Sequence, residues 1–126
     1  MKTVAQKLFI KSGMKVRVIA KPENFSEIFG SHDAVIVSER SRELADLVLL
    51  FVRDREEMEA RLGKPQILQP EGALWLAYPK GTSKLKSDIH RDSIREYAAS
   101  LGLETVSIIS VDETWSCLRL KTTQQK

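Results

Sequence analysis

The sequence predicts an α/β domain: an open, mostly parallel, six-stranded sheet with helices on both faces and an antiparallel hairpin at its C-terminal end. Three observations carry this. Short apolar runs alternate with polar or amphipathic segments along most of the chain, the pattern that strands and covering helices leave in a parallel sheet. The last two apolar runs, 105–111 and 115–121, are joined only by Asp112-Glu113-Thr114, a link that permits an antiparallel hairpin and is too short for a parallel crossover. Finally, 126 residues, 42% hydrophobic and 29% charged, are enough for one globular core and give no sign of a second domain.

Taken in order, residues 1–12 read as an N-terminal arm or short helix with Val4 and Leu8 on one face, broken at Ser12-Gly13. Residues 15–20 are a first strand. Pro22 then suits a first helical position, and Phe25, Ile28 and Phe29 supply the buried stripe of a short helix closed by Gly30. The nearly continuous apolar run 34–38 is expected to be a strand buried on both faces. Polar residues 39–43 separate it from a third strand, 46–52. Asp54 and Glu57 have capping-box spacing and open a helix with Met58 and Leu62 inside, limited by Gly63 and Pro65. Pro70-Glu71-Gly72 reads as a turn into the fourth strand, 73–78. Ser87 or Asp88 is expected to cap the most regular helix, whose Ile94, Tyr97, Ala98 and Leu101 follow helical spacing and which ends at Gly102. The tail 122–126 is polar and expected to fray.

Composition narrows the function classes. The single cysteine, Cys117, excludes an intrachain disulfide and fits a reducing compartment. The longest apolar run, 47–52, is too short to cross a bilayer, and lysine recurs near the start before a signal-peptide core can form. A cytoplasmic protein without a membrane partner is the expectation. His32, His90 and Cys117 lack metal-ligand spacing, so no metal is expected. The net charge of +3 is small and arises from 20 basic residues mixed among 17 acidic ones. It permits weak nucleic-acid or anion affinity.

The predicted architecture is Rossmann-like, and such sheets bind ligands beyond the carboxyl ends of their strands, where the strand order reverses. Reading off those ends gives Lys21-Pro22-Glu23, Ser38-Glu39, Arg53-Asp54, Tyr78-Pro79-Lys80 and the hairpin Asp112-Glu113-Thr114-Trp115. Arg53, Tyr78, Lys80, Ser83, Lys84, Asp112, Thr114 and Trp115 are therefore the ligand-binding candidates. The loop from Lys80 to Lys86 combines lysines with Gly81, Thr82 and Ser83 and suits an anion; Asp88 at the helix start argues against that, a solvated connection is the commoner reading of such a loop, and it is not a P-loop. Asp112, Glu113 and Lys80 could form an acid-base group, against a plain turn role for Asp112. Trp75 and Trp115 could offer an aromatic platform, against a place in the core.

Two resemblances follow. The run 45–52, a helix, and then Leu68-Gln-Pro-Glu-Gly-Ala-Leu-Trp-Leu resemble the middle of class I S-adenosylmethionine-dependent methyltransferases, and the terminal hairpin is similar to the ending of that fold. This implies methyltransferase-like topology lacking one strand, with Glu39 placed to hold a ribose. The chain departs from the pattern after the first strand, where Ala20-Lys21-Pro22-Glu23 replaces a glycine-rich loop: proline fixes φ and lacks an N–H, so backbone cannot approach a cofactor in the same way. More of the chain is similar to a family of small bacterial proteins of unassigned function. The shared positions are Gly72, Leu74-Trp75, Pro79-Lys80, Ser83, Asp88, Gly102-Leu103, Asp112, Thr114-Trp115-Ser116 and Arg119.

The expectation is thus a single Rossmann-like domain over residues 1–126 with no cofactor, binding a protein partner or a small anionic ligand at the carboxyl edge. The alternatives are a remodelled methyltransferase using S-adenosylmethionine, with Asp112 or Tyr78 near the substrate, and a weak nucleic-acid binder acting through Lys80 to Lys86. A homodimer through the second strand is also open.

Overall fold

The computed structural model describes residues 4–30, 33–38, 43–62, 68–80 and 88–122. Among these, the elements run α1 (Val4–Lys7), β1 (Lys15–Ile19), α2 (Phe25–Phe29), β2 (Val35–Val37), β3 (Ala45–Phe51), α3 (Arg55–Leu62), β4 (Leu68–Pro79), α4 (Arg91–Ser100), β5 (Leu103–Ser110) and β6 (Trp115–Thr122). The strands form one six-stranded sheet in the order β2-β1-β3-β4-β6-β5. β2, β1, β3 and β4 are mutually parallel, whereas β6 runs antiparallel to both β4 and β5. The mixed α/β sheet and its terminal hairpin are as the sequence implies.

Alternation along the central strands splits the core into two layers, because successive side chains of a strand face opposite sides. Leu47, Leu49 and Phe51 of β3 join Val16, Val18, Trp75, Ala77, Trp115 and Cys117 beneath α1 and α2. Val48, Leu50 and Val52 join Leu74, Leu76, Tyr78, Leu118 and Leu120 beneath α3 and α4. The near-continuous apolar run of β3, buried from Leu47 to Val52, is what helices on both faces require.

Four details differ from the sequence expectation. β2 is an edge strand, with Val35 and Ile36 exposed and Val37 alone buried; an apolar run this short reads the same at an edge as at the centre. Pro70-Glu71-Gly72 lies within β4, as an irregularity between the pairs Ala45 with Leu68 and Leu47 with Ala73. α2 begins at Phe25 after Asn24, and Pro22 instead accepts from the Phe25 N–H in the preceding turn. The cap of α4 is His90, whose Nδ1 accepts from Ser93 N while Ser93 Oγ accepts from His90 N. Asp88 is used elsewhere: its Oδ1 accepts from Arg55 N at 2.8 Å, at the start of α3.

Arg17 braces the two ends of the link between β2 and β3. The link 38–44 must carry the chain from one side of β1 to the other, since β2 and β3 flank it. Arg17 projects from β1 between Val16 and Val18, on the opposite face, and is only 2% exposed. Its Nη1 donates to Ser38 O at 2.8 Å and its Nη2 to Glu43 O at 2.5 Å, one carbonyl at each end of the link. A rigid guanidinium fork serves two carbonyls at once, and both acceptors lie outside β2 and β3.

The described residues contain no helix long and apolar enough to cross a membrane.

Candidate functional site

The strand order reverses at β1, which has β2 on one side and β3 on the other. The carboxyl ends of β1 and β3 therefore flank the crevice where this architecture takes ligands. Aromatic rings meet there. Phe25 of α2 packs edge-on against Phe51 at the end of β3, with centroids 6.1 Å apart, and Phe51 packs edge-on against Trp115 at 5.0 Å. Phe29 stacks beneath Phe25 at 4.9 Å. All four rings are buried. Cations cover the outer side: Lys21 Nζ lies 5.8 Å from the Phe25 centroid and Arg53 Cζ 6.0 Å from the Trp115 ring, distances at which the ring quadrupole attracts a cation. Ala20, at the end of β1, holds φ +59°. It keeps, with a side chain, a left-handed conformation for which glycine is the usual residue.

Beside this point, the start of α3 is already supplied with carboxylates. Asp54 Oδ1 accepts from Glu57 N at 2.9 Å, Glu57 Oε1 from Arg53 N at 2.7 Å, and Asp88 Oδ1 from Arg55 N. Helix N-termini attract anions through free N–H groups and dipole; here the chain's own side chains take both. Glu57 also pairs with Arg53 at 3.5 Å and Arg61 at 3.8 Å. These residues line a cleft of about 440 Å³ along α3.

The β5–β6 end of the edge is different in kind. Asp112 Oδ1 accepts from Thr114 N and Trp115 N, both at 2.8 Å, the local turn bonding for which aspartate is favoured. Thr114 O accepts from Lys80 N at 2.7 Å, which ties β4 to the hairpin. From there two ammonium groups converge on one residue: Lys80 Nζ donates to Ser110 Oγ at 2.6 Å, and Lys7 Nζ from α1 donates to Ser110 O at 2.9 Å. Across the sheet, Ser110 pairs with Ser116 and Ser116 with Tyr78. The Tyr78 phenol shares a hydrogen bond with the Ser116 side chain and feels the charge of Arg91, at the start of α4. Burial raises the Tyr78 pKa, with Arg91 and Ser116 opposing the rise.

Among the sequence-predicted residues, the structure joins Lys80, Thr114 and Asp112 at the hairpin and sets Arg53 over Trp115. It places Tyr78 on the α4 face, and Trp115 and Trp75 in the core at 3% and 1% exposure. Ser83, Lys84 and Glu39 lie outside the described residues. Lys7, Ser110 and Arg91 escape sequence reasoning, and Ser116 enters it only as a position shared with the resembled family. Lys7 and Ser110 stand 103 positions apart, and no periodicity or motif links them.

Cys117 is 1% exposed. Burial pushes its thiol far above the ordinary value of 9.0, and the Asp112 carboxylate adds to the rise. The thiol and the Tyr78 phenol thus stay protonated in the fold where the unfolded chain would ionise them, so their stabilising contribution is complete below about pH 9 and is lost as pH rises beyond it. Urea unfolding at pH 7 to 11 is expected to show stability falling by up to about 1.4 kcal/mol per pH unit for the thiol once pH exceeds its unfolded pKa. A Cys117→Ala protein should show a shallower fall. Native Cys117 should also resist thiol reagents at neutral pH.

Among the described residues no group of three potential ligands is placed to hold a metal.

These features define a Rossmann-like α/β domain with a mixed sheet and its switch point at β1. The chain belongs to the family described as protein of unknown function DUF3052, whose model matches residues 5–124. No curated protein matches it. Solved structures share the fold at 10% identity. A protein of the NADB-Rossmann superfamily from Streptococcus agalactiae has a TM-score of 0.54, covering 100% of this chain and 70% of the other. The ribosomal protein L11 methylase of Lactobacillus delbrueckii subsp. bulgaricus gives 0.59 over 94% and 74%. YjhP from E. coli gives 0.52 over 94% and 88%. The distant likeness to methyltransferases expected from the sequence is present in the fold.

Proposed function

We propose that this domain is a non-catalytic binding module on a methyltransferase-like fold, holding a small oxyanion at the carboxyl edge between Lys7 and Lys80. The observation that carries the reading is the convergence of two ammonium groups on Ser110. Two like charges drawn to one residue repel each other, more weakly where water screens them. A phosphate or carboxylate placed between them turns that repulsion into two charge-assisted hydrogen bonds. The Ser110 hydroxyl and the neighbouring Ser116 offer further polar contacts, and Arg91 adds positive charge on the α4 side. Arg53 belongs to the aromatic cover and not to this group.

The non-catalytic half of the proposal rests on the switch point. Phe25, Phe51 and Trp115 meet where a nucleotide cofactor is bound in related folds, and Lys21-Pro22 stands where backbone N–H groups are needed. A remodelled methyltransferase is the second reading. The left-handed Ala20 favours it, because that conformation allows a tight turn toward a ligand.

Isothermal titration with inorganic phosphate and with succinate tests the anion site. The wild-type protein should bind at least one of them, and Lys80→Met and Lys7→Met should each weaken binding roughly tenfold, equivalent to about 1.4 kcal/mol. Undiminished affinity in both variants, or no binding by the wild type, would remove the proposal.

A further inference from the structure

A second set of donors lies on the α1/α2 face, away from the carboxyl edge. Trp75 of β4 pairs with Arg119 of β6, and Arg119 pairs with Ser107 of β5. Directly opposed residues of antiparallel strands share a face and are close neighbours. Trp75 and Cys117, two residues before Arg119, both belong to the core layer beneath α1 and α2, so the row Trp75-Arg119-Ser107 lies on that face. Every polar side-chain group in this row can donate, and no carboxylate belongs to it.

One of these donors is buried and unsatisfied. Trp75 is 1% exposed and its indole Nε1 is buried without a hydrogen-bond partner. Arg119 is half-buried, and among the described residues it makes no ion pair or hydrogen bond. A buried N–H without an acceptor destabilises the fold, and native proteins leave few of them. The exposed side of the row opens at Ser107, next to a register shift between Thr105 and Ser107; such bulges re-aim side chains and often stand beside sites.

We infer that Trp75, Arg119 and Ser107 form a binding site for a single oxyanion, a carboxylate or phosphate group of a small molecule. The guanidinium fork takes two of its oxygens. The indole N–H donates to an oxygen at the buried end and the Ser107 hydroxyl at the open end. This site is independent of the Lys7 and Lys80 pair: Trp75 and Pro79 are four residues apart on β4, which is roughly 13 Å along a strand.

The test follows the two indole N–H resonances by 1H–15N correlation NMR in a Lys7→Met/Lys80→Met background, where the edge pair is absent. The background protein is titrated with inorganic phosphate and, separately, with succinate. A saturable downfield shift of the Trp75 indole is expected with at least one of them, with Trp115 unmoved, and the responding probe identifies the ligand as phosphate-type or carboxylate-type. Adding Arg119→Met should abolish the shift while the rest of the spectrum stays folded. Arg119→Lys should retain a weaker, still saturable one. No movement of Trp75 with either anion in the millimolar range, or a shift that persists without Arg119, overturns the inference. Should Arg119→Met unfold the chain, Ser107→Ala serves in its place and must weaken the shift at least severalfold.

Discussion

Trp115→Ala is expected to destabilise the domain by about 3 to 5 kcal/mol, the range for removing a large aromatic from a core. For a chain of this length that is a fall in Tm of roughly 10 to 20 °C. The ring is 3% exposed, meets Phe51 edge-on, and carries Arg53 on its outer side. Its loss therefore opens a void and uncovers the Phe51 ring at the switch point. Trp115→Phe keeps an aromatic edge and should lose less than half as much. Equal stability of the alanine and wild-type proteins in thermal unfolding would mean that the cluster does not hold the crevice closed.

Arg17→Met should be nearly as damaging, for a different reason. Methionine fills much of the space but donates nothing, so the guanidinium bonds to Ser38 O and Glu43 O, one at each end of the 38–44 link, are lost. A hydrogen bond to a charged group is worth about 1.5 to 3 kcal/mol, less where water replaces the donor, and the expected total is about 2 to 5 kcal/mol. Hydrogen exchange should localise the effect, with amides of β2 and the start of β3 losing protection before those of β4. Arg17→Lys, which has charge but no fork, should fall between the two. A stability within about 0.5 kcal/mol of wild type, the size of a neutral surface change, would show that the link holds its course without the arginine.

How much of this was legible beforehand depends on whether the cause is local. The β3 run Leu47 to Val52 announces a strand covered on both faces because burial on both sides leaves no polar positions. The terminal hairpin is legible because three residues cannot make a crossover. Asp54 and Glu57 foretell the start of α3 through contacts within one turn, although Glu57 reaches back to Arg53 N instead of the Asp54 N–H. Where a contact is distant, the sequence is silent or misleading. Asp88 looks like the cap of the helix that follows it, yet it bonds to Arg55, 33 residues earlier, and leaves that role to His90. Lysines in the 80–86 loop attract notice as a group, whereas Lys7 meets Ser110 only because α1 packs on the face beside β5. Arg17 offered no signal at all: an arginine in an alternating strand reads as solvent-facing, and its bonds to Ser38 O and Glu43 O join positions 21 and 26 residues away.

Calorimetric titration of ligand-stripped protein with S-adenosylmethionine tests most directly the claim that the domain's own aromatic rings occupy the cofactor position. The predicted result is no saturable heat and no rise in Tm with the methyl donor. Saturable binding contradicts it, and at about a hundred times its dissociation constant the donor would then add roughly 2.7 kcal/mol of stability. In that case Phe25 and Trp115 must move aside, and the turn at Ala20-Lys21-Pro22 becomes a cofactor site of a new kind.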